Sequence, residues 1–310
     1  MFFLIIQQMS KIKNWIYAFR FRTLFLAVSG VTLGTGMAVK SGTSSLFTFS
    51  FAILLAVSIQ ILSNLANDLG DYQKGTDTTG KRQGPKRAVQ SGKISPKEMK
   101  IAIMVNSIFV AVVGLFLVIK STAASSPGGI SVLLGIGLIS ILAALFYTIG
   151  RYAYGYIGWG DFFAFLFFGP VAVVGTYFLH TGNITLQSFF PAIGLGFVST
   201  MILNINNMRD IKNDTESGKI TVASKLGLSH SKIYHSLLTL GVFIFFISYS
   251  LTLKQSNWIN YIYVITFVLF IKIIMEIKSK SDSELDPYLK LTSISGFMLA
   301  VAFSICINIA

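Results

Sequence analysis

The sequence predicts an all-α polytopic membrane protein, a bundle of nine transmembrane helices. Three observations carry that prediction. Of 310 residues, 53% are hydrophobic and only 12% charged, and the mean hydropathy is +0.70, more apolar sequence than a soluble domain needs. Apolar stretches recur at about the 20-residue length that spans a bilayer as helix. Lysine and arginine fall in alternate intervals between them, as the positive-inside rule requires.

The predicted spans are 22–40, 46–66, 99–119, 129–149, 156–179, 188–208, 234–253, 257–276 and 289–309. Gly, Ser and Asn within them suit helices packed inside a bundle. Ahead of the first span, Met1-Phe-Phe-Leu-Ile-Ile is too short for a signal peptide and lacks a basic n-region. Met9-Ser-Lys-Ile-Lys reads as an ordinary cytoplasmic start, so residues 1–8 read as an upstream extension without a role. No linker divides the chain, which reads as a single membrane domain over 1–310. Two intervals stand out by length and polarity, 68–97 and 209–232. Gly75, Gly84, Pro85 and Gly92 in the first predict turns around one short helix, in the manner of a lid.

With the N-terminus inside, all but four of the 25 Lys and Arg residues lie on the inner side; the exceptions are Lys40, Lys120, Lys254 and Lys272. That places both long intervals in the cytoplasm, and a bacterial cytoplasmic (inner) membrane is the expected location. The net charge of +13 is spread over loops flanking the membrane, with no separate basic domain for nucleic acid. The single cysteine, Cys306, excludes an intramolecular disulfide and a Cys-based metal site.

The chemistry lies where two spans meet those intervals. Asn64-Leu-Ala-Asn67-Asp68-Leu-Gly-Asp71 and Asn206-Asn207-Met-Arg-Asp210-Ile-Lys-Asn-Asp214 are paired Asn/Asp clusters. Carboxylates at the end of a membrane helix are costly unless they hold something. Spacings of three and four put Asn64, Asp68 and Asp71 on one helical face, and Asn207, Asp210 and Asp214 on another. Aligning 67–71 with 206–210 matches two of five positions and preserves an Asx residue at a third, a hint of duplicated halves. Hard oxygen ligands with basic neighbours suit Mg²⁺ clamping a phosphorylated substrate. Asp68, Asp71, Asp77, Asp210 and Asp214 are the predicted metal carriers, with Asn64, Asn67 and Asn207 adding amide oxygens. Arg22, Lys74, Arg87, Arg151, Lys212 and Lys219 are predicted phosphate partners, arginine by bidentate contact and lysine as a point charge. Such a site could ionise an allylic prenyl diphosphate to a carbocation.

A carbocation and its tail need a dry, aromatic place, and Asp161-Phe-Phe-Ala-Phe-Leu-Phe-Phe-Gly-Pro170 is dense in phenylalanine. For any single Phe, packing or lipid contact is the commoner role. His180, His230 and His235 have no metal-ligand spacing, and the chain holds no Gly-rich phosphate loop, HExxH or nucleophile elbow.

At these clusters the chain resembles the UbiA-type membrane prenyltransferases. The resemblance runs through Asn64 to Asp71, Lys74-Gly-Thr-Asp77, Gly84-Pro-Lys-Arg87 with Gln90 and Gly92, and Tyr147-Thr. It continues through Gly155-Tyr-Ile-Gly158, Phe167-Phe-Gly-Pro170, Gly175-Thr-Tyr177, Asn206 to Asp210, Asp214, Glu216-Ser-Gly-Lys219, Thr221 and Lys225-Leu-Gly227. It implies the UbiA-type fold, nine spans and a Mg²⁺-dependent site near the cytoplasmic face. Five residues between Asp71 and Asp77 resemble the naphthoate branch more than the shorter 4-hydroxybenzoate pattern. The implied reaction joins a polyprenyl group from polyprenyl diphosphate to the aromatic acceptor 1,4-dihydroxy-2-naphthoate, with loss of CO₂ and diphosphate, in menaquinone synthesis. Tyr147 is then expected to orient the acceptor or stabilise positive charge. Asp161 stands where the pattern has Glu, Trp159 where it has Leu, and Arg151-Tyr-Ala-Tyr154 lacks the expected proline-rich text, so acceptor identity is the open claim. Other family acceptors, 4-hydroxybenzoate among them, and a cation-coupled transporter remain the alternative readings.

Overall fold

A computed structural model describes residues 2–254 and 257–309, with side chains from residue 11 onward. The side chains of residues 1–8 therefore lie outside the described residues. Among those described, nine helical segments are long and apolar enough to cross a membrane, and the chain is an integral membrane protein.

Helix α1 (Phe2–Phe19) precedes the first span, and Arg20 breaks it from α2 (Phe21–Lys40) with a left-handed backbone, φ 51° and ψ 63°. A non-glycine residue there is uncommon and marks local strain. The bundle continues with α3 (Leu46–Gln73), α4 (Pro96–Lys120) and α5 (Gly129–Phe146). The fifth span is α6 (Gly160–Leu166), a π-helical turn at Phe167–Val171, and α7 (Ala172–Thr181). Pro170 within that turn has no N–H to give the ladder, which is why the helix loosens there. Then come α8 (Phe189–Arg209), the short α9 (Ile211–Glu216), α10 (Val222–Leu251), a 3₁₀ segment Trp258–Thr266 leading into α11 (Phe267–Ile277), and α12 (Asp286–Ile309).

Helix α8 packs against α10, α6 and α12, while α2 lies against α12, α7 and α3. Close approach is bought by glycine: a Cβ on Gly34 of α2 would stand 2.5 Å from the Val173 carbonyl of α7. The cores are aliphatic and aromatic, with Leu33, Leu195, Phe246 and Phe303 fully buried in the largest.

Three of the boundaries that differ from the predicted ones border the loops between the spans. Helix α3 continues seven residues beyond 66, because Asn67, Asp68 and Asp71 find partners inside the protein and need not leave the helix. The second interval ends at Thr221, whose side chain caps α10 in a reciprocal box with Ser224; the first turn of α10 is set off from the long helix by a kink at Gly227, φ 73° and ψ 168°. The first ends at Ser95, which forms the same kind of box with Glu98, and it holds turns without the predicted short helix.

Candidate active site

The last three turns of α3 set three side chains toward a common space. Asn64, Asn67 and Asp71, spaced by three and four, line a cavity of about 520 Å³. Asn64 also fixes α3 to the break before α2: its Nδ2 donates to the Phe19 carbonyl at 2.9 Å and to Thr23 at 2.9 Å. Thr148 donates to the Ala66 carbonyl and to Asn67 Oδ1, at 3.0 and 3.3 Å. Asp71 is gripped from two sides. Tyr156 Oη donates to its Oδ1 at 2.5 Å, and Arg87 pairs with its Oδ2.

Asp68 is turned elsewhere. Its two oxygens accept the backbone N–H groups of Ala88 and Val89, at 2.9 and 3.1 Å, so it pins the first loop to α3. It faces a smaller cavity of about 310 Å³, bordered also by Tyr17, Arg20, Arg82, Lys86 and Arg87. The predicted face of Asn64, Asp68 and Asp71 is therefore corrected to Asn64, Asn67 and Asp71. Both sets have helical spacing, and the loop amides decide between them.

The loop pinned by Asp68 brings Asp77 and two arginines to the cluster. Arg82 Nε and Arg87 Nε stand 3.2 and 3.3 Å from the two oxygens of Asp77, and Arg87 Nη1 also donates to the Asn67 carbonyl at 2.6 Å. Opposite, Asn206 lines the large cavity, and Asp210 accepts Arg209 through Nε at 3.2 Å and Nη2 at 2.5 Å. The Gln83 N–H reaches Asp210 Oδ1 at 3.3 Å. Asp214 takes Lys219 on Oδ1 at 3.4 Å, while its buried Oδ2 has no hydrogen-bond partner. The loops interlock around this core: Asn213 bonds the Thr76 carbonyl at 3.2 Å, and Lys81 pairs with Glu216 at 2.6 Å. The alignment of 67–71 with 206–210 gains a structural counterpart. Asn67 and Asn206 both line the cavity, and Asp71 and Asp210 are both gripped by arginine. Asp68 and Asn207 are both absent from the wall of that cavity; the match stops at the last pair, since Asp71 lines the cavity and Asp210 does not.

Not every predicted residue joins this group. Arg151 is exposed and lies over the Tyr152 ring. Lys212 is exposed and pairs with Asp282 at 3.2 Å. Asn207 is buried, and its Oδ1 has no partner. Lys74 lies 4.8 Å from the Tyr156 ring centroid, beside the site. Arg22, Arg87, Lys219 and Tyr147 do line the cavity. Asp161 is buried, bonded to Tyr234 and away from the cavity wall. Of the dense phenylalanine stretch, Phe163, Phe167 and Phe168 line the cavity; Phe165 packs on Phe197 and Phe162 is exposed.

The sequence reading placed none of Arg20, Arg82, Tyr156, Asn206 and Arg209 among the site residues. Arg20 borders both cavities and its Nη2 is buried without a partner. Arg82 lies in a run of basic loop residues with nothing local to single it out. Asn206 and Arg209 carried the clearest signal, since they sit inside the second cluster.

Charge in the site is nearly balanced by pairing. Burial lowers the Arg20 guanidinium to about 9, and repulsion from Arg87 adds to it. Burial acts to lower Arg87 as well, but Asp71, Asp77 and Asp68 outweigh it and raise it above its ordinary value. The Asp210 carboxyl is pushed up by burial, yet Arg209 holds it below the usual range. Asp214 lacks so strong a partner, and burial raises it to about 6. Asp77 is likewise raised by burial. Burial, then Asp71, raises the Tyr147 phenol, so it stays protonated.

An all-helical membrane bundle with two Asn/Asp clusters at the mouth of an apolar cavity defines a class, and the comparisons agree. The model of the UbiA prenyltransferase family matches residues 27–298, and the chain belongs to that family. It is 36% identical over 301 residues to the 1,4-dihydroxy-2-naphthoate octaprenyltransferase of Haemophilus influenzae, covering 95% of this chain and 96% of that one. It is 37% identical over 252 residues to the Escherichia coli protein of the same name, covering 81% of each. A solved UbiA homologue from Archaeoglobus fulgidus bound to GPP and Mg²⁺ shares the fold, with a TM-score of 0.66, 13% identity, and 96% and 100% of the two chains covered.

Proposed function

We propose that the protein transfers a polyprenyl group from polyprenyl diphosphate to 1,4-dihydroxy-2-naphthoate, releasing CO₂ and diphosphate and forming demethylmenaquinol, the reduced form of demethylmenaquinone. The active site would lie at the cytoplasmic face of a bacterial inner membrane, roofed by the segments 74–95 and 210–221. The observation that carries this reading is the cavity itself. Its mouth holds Asn64, Asn67, Asp71, Arg87, Asn206 and Lys219, and its walls are apolar as far as Leu117, Leu133 and Leu179 near the other end of the bundle. One end suits a diphosphate, the other a hydrocarbon tail.

Mg²⁺ fits the donor set. Asp71, Asp77, Asp210 and Asp214 are hard oxygen donors, and the unpartnered Asp214 Oδ2 is a ready ligand. Among the described residues no ready-made group of three acidic, histidine or cysteine side chains forms a metal cage, since arginine and lysine hold the carboxylates. When bound, the metal supplies charge neutralisation to the departing diphosphate. Arg87, Arg82 and Lys219 take up the remaining phosphate charge. Phe163, Phe167 and Phe168 keep water from the allylic carbon and face its positive charge. Tyr147, protonated, can donate a hydrogen bond to an acceptor oxygen. The C–O bond of the donor breaks with its electron pair leaving on diphosphate. The ring carbon bearing the carboxylate then bonds to the allylic carbon. Loss of CO₂ returns an electron pair to the ring and leaves both hydroxyls in place, so the step is redox-neutral and its product is the hydroquinone; the quinone forms only by a later two-electron oxidation.

One prenyl donor, supplied with 1,4-dihydroxy-2-naphthoate or 4-hydroxybenzoate in parallel reactions, tests the reading. Product from the naphthoate alone is expected. Product from 4-hydroxybenzoate alone would keep the family chemistry and overturn the acceptor. Solute uptake into vesicles without product from either would favour a transporter.

A further inference from the structure

The contacts of Arg209 extend beyond the two clusters to the last helix. Arg209 is 1% exposed. Besides Asp210, its Nη2 reaches Asn206 Oδ1 at 2.9 Å, and its Nη1 pairs with Asp286 Oδ1 at the start of α12. Asp286 offers its other oxygen to Arg22 Nη1 at 3.3 Å, and Arg22 lines the large cavity. Gly84 of the first loop lies against the same guanidinium, where a Cβ would stand 2.8 Å from Cζ. Three separated stretches of chain therefore meet on one buried cation, and Arg22 joins them through Asp286. Asp286 belongs to neither cluster.

A guanidinium held by Asp210 alone would be stranded whenever Asp210 gave its oxygens to another cation, and a stranded buried charge is strongly unfavourable. Here Arg209 already touches a second carboxylate. We infer that Asp286 is a positioning residue for the metal site, an inference that rests on the two-cluster metal reading above. Arg209 is the resident counter-ion of Asp210 in the metal-free protein. Asp286, with Asn206, retains Arg209 when a divalent cation takes the Asp210 oxygens. Without the Asp286 charge, Arg209 has Asp210 as its only carboxylate and competes harder with the cation.

The test is Mn²⁺ affinity, read from the electron paramagnetic resonance signal of free Mn²⁺, on full-length detergent-solubilised protein without substrate. Wild type, Asp286→Asn, Arg209→Gln and the double variant form a cycle. Asp286→Asn is expected to weaken binding about tenfold when Arg209 is present and less than about twofold when it is replaced, within the range of coupling seen for contacting residues. Equal weakening in both backgrounds would mean only a general loss of negative charge and would overturn the inference. If Arg209→Gln does not fold, Asp286→Glu decides instead. Recovery to within about threefold of wild type supports a carboxylate that retains Arg209, since coupling is what the restored contact returns; no recovery overturns it. A wild-type protein that binds no Mn²⁺ overturns the metal reading and this inference together, whereas wild-type binding with an additive cycle overturns the inference alone.

Discussion

The Tyr156 phenol donates to Asp71 Oδ1 at 2.5 Å and is itself 2.6 Å from Thr76 Oγ1. Tyr156 thereby fixes one oxygen of Asp71 while Arg87 holds the other. A hydrogen bond to a charged group contributes about 1.5–3 kcal/mol. Tyr156→Phe is therefore expected to lower kcat/KM by roughly tenfold to a hundredfold, with the fold retained. Steady-state kinetics on the purified variant check this, and unchanged kcat/KM would remove Tyr156 from the site.

Asp68 and Asp71 are three residues apart and are expected to behave differently. Asp71→Asn should weaken Mn²⁺ binding at least about tenfold, the scale of one pK-sized loss of interaction. Asp68→Asn should leave that affinity within about threefold and instead loosen the first loop, since only the two amide contacts suffer. Limited proteolysis between Lys81 and Lys93 reads the second effect. Equal loss of Mn²⁺ affinity in both variants would put Asp68 back among the ligands.

Metal binding should depend on pH through Asp214. Its folded value of about 6 lies above the ordinary 3.8 because burial penalises the charged form. The metal-free fold therefore takes up a proton as pH falls through 6, and the ionised group costs stability above that point. A cation must displace that proton, so Mn²⁺ affinity should fall about tenfold from pH 7 to pH 5. Asp210, lowered by Arg209, stays ionised across this window. Titrations at pH 5, 6 and 7 should show the slope in wild type and a shallower one in Asp214→Asn.

The apolar cavity should gauge the prenyl tail. Gly137 and Gly175 line it, and a Cβ at either position meets nothing within 4 Å. A leucine Cβ there enters the open cavity without meeting the protein, in the space the proposed function gives to the prenyl tail. Gly137→Leu is expected to cut kcat/KM for long donors at least about tenfold while short donors change less than about threefold, because only the tail loses binding. A donor series from five to forty carbons, ~1 to 8 isoprene units, measures it. A uniform fall across the series would contradict it.

The number and order of spans were legible because bilayer thickness fixes helix length. The clusters were legible because carboxylates at the end of an apolar run are rare. Which residues of a cluster face inward was not. Positions 64, 68, 71 and 64, 67, 71 satisfy helical spacing equally, and only the Ala88 and Val89 amides, some twenty residues on, assign Asp68 to the loop. The Arg209–Asp286 pair joins residues 77 positions apart, so local pattern could not find it. Arg151 and Lys212 looked like phosphate partners because charge is visible in sequence and direction is not.

The central claim is that these clusters drive decarboxylating prenyl transfer. Its most direct test follows carboxyl-labelled 1,4-dihydroxy-2-naphthoate through purified protein with polyprenyl diphosphate, in Mg²⁺ or in EDTA. Labelled CO₂ and prenylated product formed in equal amounts, only with Mg²⁺, is the predicted result. Product that retains the label, or forms equally well in EDTA, would contradict the account.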